Sequence, residues 1–127
     1  MSFIFDTGKT GLETVMKDYQ AICMRYLWEV GEEGANSGKT WVHVSKILME
    51  QEKTISRASI IFFLNDMVDL GALTFKSKSG KGGYHRIYSP IHDEKGFKEY
   101  VVRKMLGKMA EEWPDEVEKV ISALKEE

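Results

Sequence analysis

Apolar side chains recur at every third or fourth position near the start of the chain, the spacing that places them along one face of an α-helix. They are Leu12, Val15, Met16, Tyr19, Ile22, Cys23, Tyr26, Leu27 and Val30. This stripe predicts an amphipathic helix of about five turns. Gly31 and Gly34 follow it directly and predict its end.

Two more helices are predicted before the middle of the chain. A shorter apolar stripe, ending near Gln51, is formed by Val44, Ile47 and Leu48. After a polar turn, Ser56 suits the N-cap of a third helix, and Gly71 stands where a left-handed C-terminal glycine is common. The apolar positions of that third helix are Ile60, Phe63, Leu64, Met67, Val68 and Leu70.

The hydrophobic period then changes from that of a helix to that of a strand. Residues 72–76 and 84–89 contain the strand formers Leu73, Phe75, Tyr84, Ile87 and Tyr88. The segment between them, 77–83, reads SKSGKGG and predicts a flexible basic tip. A β-hairpin closed by Pro90 is therefore expected.

Two helices are predicted in the C-terminal part. The first runs from about Asp93 to Glu112, and Pro114 suits the first turn of the second, because its missing N–H would be unpaired there anyway. Both helices have strong apolar stripes, more than a domain of roughly 80 residues needs for its own core. Surplus stripes of this kind predict a homodimer. The predicted dimerisation residues are Phe97, Val101, Met105, Met109, Trp113, Val117, Val120, Ile121 and Leu124.

The predicted fold class is mainly α with a small β-hairpin (α+β). Three helices followed by a hairpin is the order of a winged helix-turn-helix, in which the third helix enters the DNA major groove. The expected organisation is an N-terminal arm at 1–11, a winged-helix DNA-binding domain at 12–91 and a C-terminal helical dimerisation segment at 92–127.

Charge is distributed unevenly along the 127 residues, although the net charge is only −2. Residues 53–92 contain six Lys/Arg and two Asp/Glu, whereas the segments on either side are acidic. No acidic residue occurs between Gly71 and His92. Binding of DNA depends on where positive charges cluster rather than on their total, so the basic hairpin favours a nucleic-acid partner. A solvated basic loop is the simpler alternative.

Several other classes of protein are disfavoured by composition. One cysteine, Cys23, excludes an internal disulfide, and its place on an apolar stripe favours a buried, inert thiol over a redox sensor. His43, His85 and His92 lack metal-ligand spacing, so no metal, cofactor or enzymatic activity is expected. No secretory leader or membrane-spanning run is apparent, and a cytoplasmic location is expected.

The stretch GANSGKT, at 34–40, is similar to a phosphate-binding loop only in its last three letters. A P-loop needs four residues between its first glycine and the Gly-Lys pair, but here three residues separate Gly34 from Gly38, and the residue at the required spacing is Glu33. The stretch is therefore interpreted as a turn. Residues 41–44 are expected to form a short strand that pairs with the hairpin, Thr40 and Trp41 beginning that strand or capping the helix after it.

The segment LNDMVDLGALT, at 64–74, with HRIYSP at the end of the hairpin, resembles the penicillinase and methicillin-resistance repressor family of winged-helix regulators. The first helix, ETVMKDYQAICMRYLWEV, is also similar, and the resemblance covers roughly residues 12–100. It implies a homodimer that binds an operator in double-stranded DNA, as a repressor. Residues that would face the groove by this resemblance are Ser56, Arg57, Ala58, Ser59 and Phe62.

The residues predicted to contact DNA combine those positions with the neighbouring basic segments. They are Lys53, Thr54, Ser56, Arg57, Ala58, Ser59, Phe62, Lys76, Lys78, Lys81, His85 and Arg86. The third helix departs from the family pattern, since Ile61 and Phe62 are apolar and Asp66 and Asp69 are acidic. These residues favour an alternative function, recognition of a protein partner, and packing against the N-terminal arm is a further alternative for the two apolar ones. The wing is longer and richer in glycine than in the family, the C-terminal region is shorter, and no protease-sensitive site or small-molecule effector can be identified.

Overall fold

The computed structural model describes residues 3–127; the first two residues of the predicted N-terminal arm, Met1 and Ser2, lie outside that range. The chain forms two compact units, one ending at Asp93 and the other spanning Glu94–Glu127. Among the described residues the fold is mainly helical, with five α-helices and a two-stranded antiparallel hairpin. The predicted α+β class is confirmed at this level.

The first helix begins later than its apolar stripe suggests. A 3-10 helix, Gly11–Thr14, precedes α1, which spans Asp18–Val30. The backbone is extended at Lys17, and its N–H donates to Oε1 of Gln20 at 2.9 Å, which fixes the start of α1. In the N-terminal arm, the N–H groups of Ile4 and Asp6 donate to the carbonyls of Val15 and Thr14 at 3.1 and 2.8 Å.

Helix α2 spans Ser37–Met49 and begins inside the GANSGKT stretch. Oδ1 of Asn36 accepts a hydrogen bond from the N–H of Lys39 at 2.8 Å and so caps the helix. The strand expected at 41–44 is therefore wrong. Because the cap starts the helix early and Thr40, Val44 and Leu48 recur every fourth residue, this segment buries a helical stripe instead. The only residue before α2 that pairs with the hairpin, among those described, is Ala35, which exchanges two backbone hydrogen bonds of 2.9 Å with Tyr88.

Helix α3 spans Arg57–Leu70, and both of its predicted ends are confirmed. Oγ of Ser56 accepts from the N–H of Ser59 at 3.1 Å, and Gly71 ends the helix with φ of 84°. Helices α1, α2 and α3 pack on one another around a common core. That core is formed by Leu12, Met16, Ala21, Cys23, Met24, Leu27, Val44, Leu48, Ile60, Phe63, Leu64, Met67, Leu73 and Tyr88.

The hairpin is longer than its strand-forming residues indicate. Strand β1 spans Leu73–Gly80 and β2 spans Gly83–Pro90, paired antiparallel from Leu73 opposite Pro90 to Gly80 opposite Gly83. The flexible tip expected at 77–83 is reduced to a two-residue turn, Lys81–Gly82. Serine and lysine have little strand propensity, but the register set by the turn pairs their backbones. The C-terminal unit contains α4, Glu94–Glu112, and α5, Pro114–Glu126.

Candidate nucleic-acid interface

The first turn of α3 is exposed at its N-terminal end. Ser56, Arg57 and Ala58 are exposed and Ser59 is half-buried. The guanidinium carbon of Arg57 lies 4.6 Å from the centre of the Trp41 ring, a cation–π contact that holds this side chain against α2. Trp41 is fixed in turn, because its indole N–H donates to the carbonyl of Ile55 at 2.8 Å.

The second turn of α3 presents apolar side chains to solvent. Phe62 is 67% exposed and Ile61 is 38% exposed, so neither belongs to the buried core. Asp66 is half-buried and Asp69 is exposed further along the helix. The outer face of α3 therefore changes along its length from hydrogen-bonding and basic groups to apolar and then acidic ones.

The two faces of the hairpin have different roles. Side chains alternate along a strand, so Lys76 and Lys78 share one face with their cross-strand partners Ile87 and His85. Both lysines are exposed, as is Lys81 in the turn. None of these three lysines forms an ion pair with any residue of the described range, 3–127. His85 places Nε2 3.2 Å from the carbonyl oxygen of Lys81.

The opposite face of the hairpin is attached to α3 through Asn65. Its Oδ1 accepts from Nη1 of Arg86 at 3.0 Å and from the hydroxyl of Tyr88 at 2.6 Å. Arg86 also lies 4.0 Å above the Phe75 ring. Burial raises the pKa of Tyr88 above its ordinary value, so the hydroxyl stays protonated as a donor. Arg86, predicted to contact DNA, is thus held between β1 and α3 and braces the hairpin.

Lys53, another predicted DNA contact, is paired within the protein. Its Nζ lies 2.9 Å from Oδ2 of Asp18 at the start of α1. This hydrogen bond lowers the pKa of Asp18 and raises the pKa of Lys53. The neighbouring Thr54 is exposed. Lys53 links α1 to the turn before α3, and its charge is partly neutralised there.

Two hollows bring further basic side chains together. One, of about 330 Å³, lies beside the hairpin and includes Lys76 and Lys78 with Lys39 and the acidic Glu33. Its complete lining is Glu33, Gly34, Ala35, Asn36, Lys39, Lys76, Ser77, Lys78 and Ile87.

The second hollow, of about 550 Å³, lies over α2. It is lined by Tyr26, Asn36, Gly38, Lys39, Val42, His43, Lys46 and Arg57, none of them acidic. Lys39 lines both hollows, so basic groups continue from the hairpin across α2 to the start of α3. We call this set the basic band; its residues are Lys76, Lys78, Lys39, Lys46 and Arg57.

The sequence predicted the two ends of this band; in its middle, it indicated Lys39 as at most a minor phosphate contact and did not indicate Lys46. Lys39 and Lys46 are seven residues apart, a spacing that places them on one face of a helix. That signal was hidden because residues 41–44 were assigned to a strand. His43, between them on the helix, stacks on Tyr26 with ring centres 4.4 Å apart.

The predicted dimerisation residues divide into two groups. Phe97 and Val101 are buried in the single chain, and Met105, Val117 and Ile121 are half-buried. The others are exposed: Met109, Trp113, Val120 and Leu124.

Across residues 3–127 no three His, Cys, Asp or Glu side chains are grouped closely enough to hold a metal ion. Cys23 is fully buried, and burial raises the pKa of its thiol to about 12. The same described range has no helix with the length and apolar character needed to cross a bilayer.

The chain was compared with known proteins by a scan against protein-family models and a search of the curated proteins, and neither finds a match.

Proposed function

We propose that residues 12–91 form a winged helix-turn-helix that binds double-stranded DNA in a sequence-specific manner. The observation that carries this proposal is the basic band, which runs from the hairpin across α2 to the exposed first turn of α3. A duplex presents a phosphate about every 1.7 Å of its axis, so such a band matches its backbone. The resemblance to the penicillinase and methicillin-resistance repressors supports the same function.

The first turn of α3 would read bases in the major groove. Arg57 suits a guanine, whose O6 and N7 accept two hydrogen bonds, and the Ser59 hydroxyl suits a base edge or a phosphate. Ala58 and the exposed Phe62 offer apolar contact to a thymine methyl group. The carboxylates of Asp66 and Asp69 would be repelled by phosphates, so only the N-terminal half of α3 approaches the duplex in this proposal.

The hairpin and α2 would bind phosphates beside the part of the duplex that this turn contacts. Lys76 and Lys78 with Lys81 on the hairpin, and Lys39 and Lys46 on α2, carry charges that no carboxylate among residues 3–127 neutralises at ion-pair distance. These contacts position the protein without distinguishing sequences. Arg86 and Lys53 contribute less in this proposal, because each already has a partner within the protein.

We further propose that the protein acts in the cytoplasm as a homodimeric repressor. Two copies related by a two-fold axis would present two α3 helices to a palindromic operator. The exposed apolar residues of α4 and α5 support pairing through the C-terminal unit.

Salt dependence tests the proposed DNA interface. Replacing Lys78 and Lys81 together by glutamine should weaken binding to all duplexes and reduce the slope of log affinity against log salt by about 1.8, since each lost phosphate contact contributes about 0.9. Mobility-shift or anisotropy titrations at several salt concentrations measure this slope. The matched control is Lys119→Gln with Lys125→Gln, two exposed lysines of α5, and it should leave the slope unchanged. An unchanged slope for Lys78 and Lys81 would exclude the hairpin from the interface.

Recognition of a protein partner is the second candidate function. The 67% exposure of Phe62, next to Ile61 and followed by Asp69, favours it because a large apolar side chain in solvent often marks a contact surface. A wild-type protein that binds no mixed-sequence duplex, even at low salt, would support this candidate over the first.

A further inference from the structure

An open apolar groove runs between the two helices of the C-terminal unit. Its volume is about 620 Å³. At Gly107, in this groove, an added Cβ atom would meet no atom within 4 Å beyond its chain neighbours and the nearby backbone of its own helix. The groove therefore has room for side chains from outside the unit. Its lining is Glu99, Val102, Arg103, Leu106, Gly107, Ala110, Val117 and Ile121.

Large apolar side chains around the groove are exposed to solvent. Leu106 is 43% exposed and Val102 is 56% exposed, although both belong to the groove lining. Other exposed apolar residues of this unit are Met109 on α4, Trp113 between the two helices, and Val120 and Leu124 on α5. An apolar surface of this extent on a 34-residue unit indicates a partner that covers it.

The charges beside the groove indicate what that partner is. Arg103 lies four residues before Gly107 and Glu111 lies four residues after it, so all three follow one side of α4. Both charged side chains are exposed, and neither has an ion pair within residues 3–127. By contrast, two other α4 pairs, Glu94 with Lys98 and Lys108 with Glu112, close salt bridges of 3.1 and 2.7 Å.

We infer that α4 pairs with α4 of a second copy in antiparallel orientation, with the two helices crossing near Gly107. An antiparallel two-fold about residue 107 brings residue 103 of one copy opposite residue 111 of the other, and the reverse. Arg103 of each copy then meets Glu111 of the other copy, giving two ion pairs related by the two-fold axis. This inference rests on the proposed homodimer and specifies its contact line.

Different side chains of the contact determine its affinity and its orientation. Burial of Leu106 and Ala110, which lie beside Gly107 in the groove, supplies the binding energy, and the missing side chain at Gly107 lets the two helices approach closely. The ion pairs fix the antiparallel register, because a parallel arrangement in register would place like charges opposite each other. An isologous contact of this kind closes at two copies.

Charge exchange tests the contact line on the full chain in the absence of DNA. Arg103→Glu and Glu111→Arg alone should each weaken self-association roughly tenfold or more, because each change replaces two attractive contacts by two repulsive ones. Mixing the two variants should restore association as a heterodimer, since positions 103 and 111 are then both acidic in one chain and both basic in the other. The double variant should again form a homodimer. Sedimentation velocity with one variant fluorescently labelled distinguishes these species.

The controls separate this contact line from the homodimer itself. Lys119→Glu changes the charge of an exposed α5 residue by the same amount and should leave the association constant unchanged. A wild-type chain that is monomeric throughout would overturn both the homodimer and the contact line. A dimeric wild type whose single variants associate normally, or whose mixed variants fail to associate, would overturn the contact line alone. Circular dichroism of each variant confirms that the helices are retained.

Discussion

At the scale of the residue, Gly34 shows why the GANSGKT stretch needs its first glycine. Its φ is +73°, and an added Cβ would lie 2.6 Å from the carbonyl oxygen of Tyr88. The same carbonyl accepts the hydrogen bond from Ala35 at 2.9 Å that joins this segment to the hairpin. Gly34 is therefore required by the backbone conformation and by its close approach to β2, with no phosphate involved.

Replacing Gly34 by alanine should destabilise the N-terminal unit by about 2–4 kcal/mol. A φ of 73° with a ψ of 178° is essentially restricted to glycine and costs a residue with a Cβ about 1–3 kcal/mol, and relief of the contact with Tyr88 adds to that cost. Urea denaturation measures the loss. The matched control is Gly38→Ala in the first turn of α2, where a Cβ would lie at an ordinary 3.5 Å from Oδ1 of Asn36. Alanine there should be neutral or stabilise by up to about 1 kcal/mol. Equal effects at the two glycines would contradict this account.

At the scale of the element, the attachment of the hairpin to α3 determines where the hairpin lysines lie. Oδ1 of Asn65 accepts hydrogen bonds from both Arg86 and Tyr88, and the Tyr88 side chain is buried. Loss of the Asn65 side chain would leave the buried Tyr88 hydroxyl without this partner, at a cost of about 1–3 kcal/mol. Asn65 thus couples the conformation of the proposed reading helix to that of the hairpin.

Asn65→Ala should lower stability by about 1–3 kcal/mol and increase hydrogen exchange of the β2 amides. The informative comparison is Asn65→Asp, because a carboxylate can still accept from both donors and can form a charge-assisted hydrogen bond with Arg86. That variant should retain most of the protection of β2. If alanine and aspartate have the same effect on exchange, the two hydrogen bonds do not hold the hairpin.

Sequence patterns predicted those elements whose signals are local. The cap at Ser56 and the terminal glycine at Gly71 depend only on neighbouring backbone atoms, and both are confirmed. The strand at 41–44 was wrong because it was inferred from the usual order of elements in a winged helix, whereas the Asn36 cap and a buried stripe at every fourth residue decide for a helix. The extent of the hairpin was underestimated because its outer half is held by backbone pairing between residues of low strand propensity.

The candidate site, like the fold, was predictable where its signals are local in the sequence. Exposed lysines of the hairpin were identified from the charge pattern, since an acid-free basic segment has few partners nearby in sequence. The partners of Lys53 and Arg86 could not be found in that way, because Asp18 and Asn65 lie 35 and 21 positions away along the chain. Lys46 was missed for a related reason: its position beside Arg57 arises from the packing of α2 on α3.

At the scale of the whole molecule, the proposed DNA binding and the proposed homodimer are linked by effective concentration. Once one subunit is bound, the second α3 meets its half-site as an intramolecular event, which raises affinity by about 10²–10⁴ when the geometry fits. A monomer would bind a palindromic site no better than a single half-site. In this proposal, dimerisation controls the preference for a palindrome, while the basic band, which includes Arg57, controls binding to each half.

Leu106→Glu should separate dimerisation from the binding of DNA by each subunit. Leu106 is 43% exposed in the single chain, so a charge is tolerated there, but a dimer that covers the groove would bury it at high cost. We expect a monomeric protein whose affinity for a half-site duplex is unchanged and whose affinity for a palindromic duplex, selected with the wild type, falls about 10²-fold or more. Lys125→Glu, an exposed α5 residue, should remain dimeric and keep the preference for the palindrome. Anisotropy titrations of both duplexes, with sedimentation of each variant, measure the two effects independently. A monomeric Leu106→Glu variant that still prefers the palindrome would show that the subunits cooperate through contacts other than the C-terminal unit.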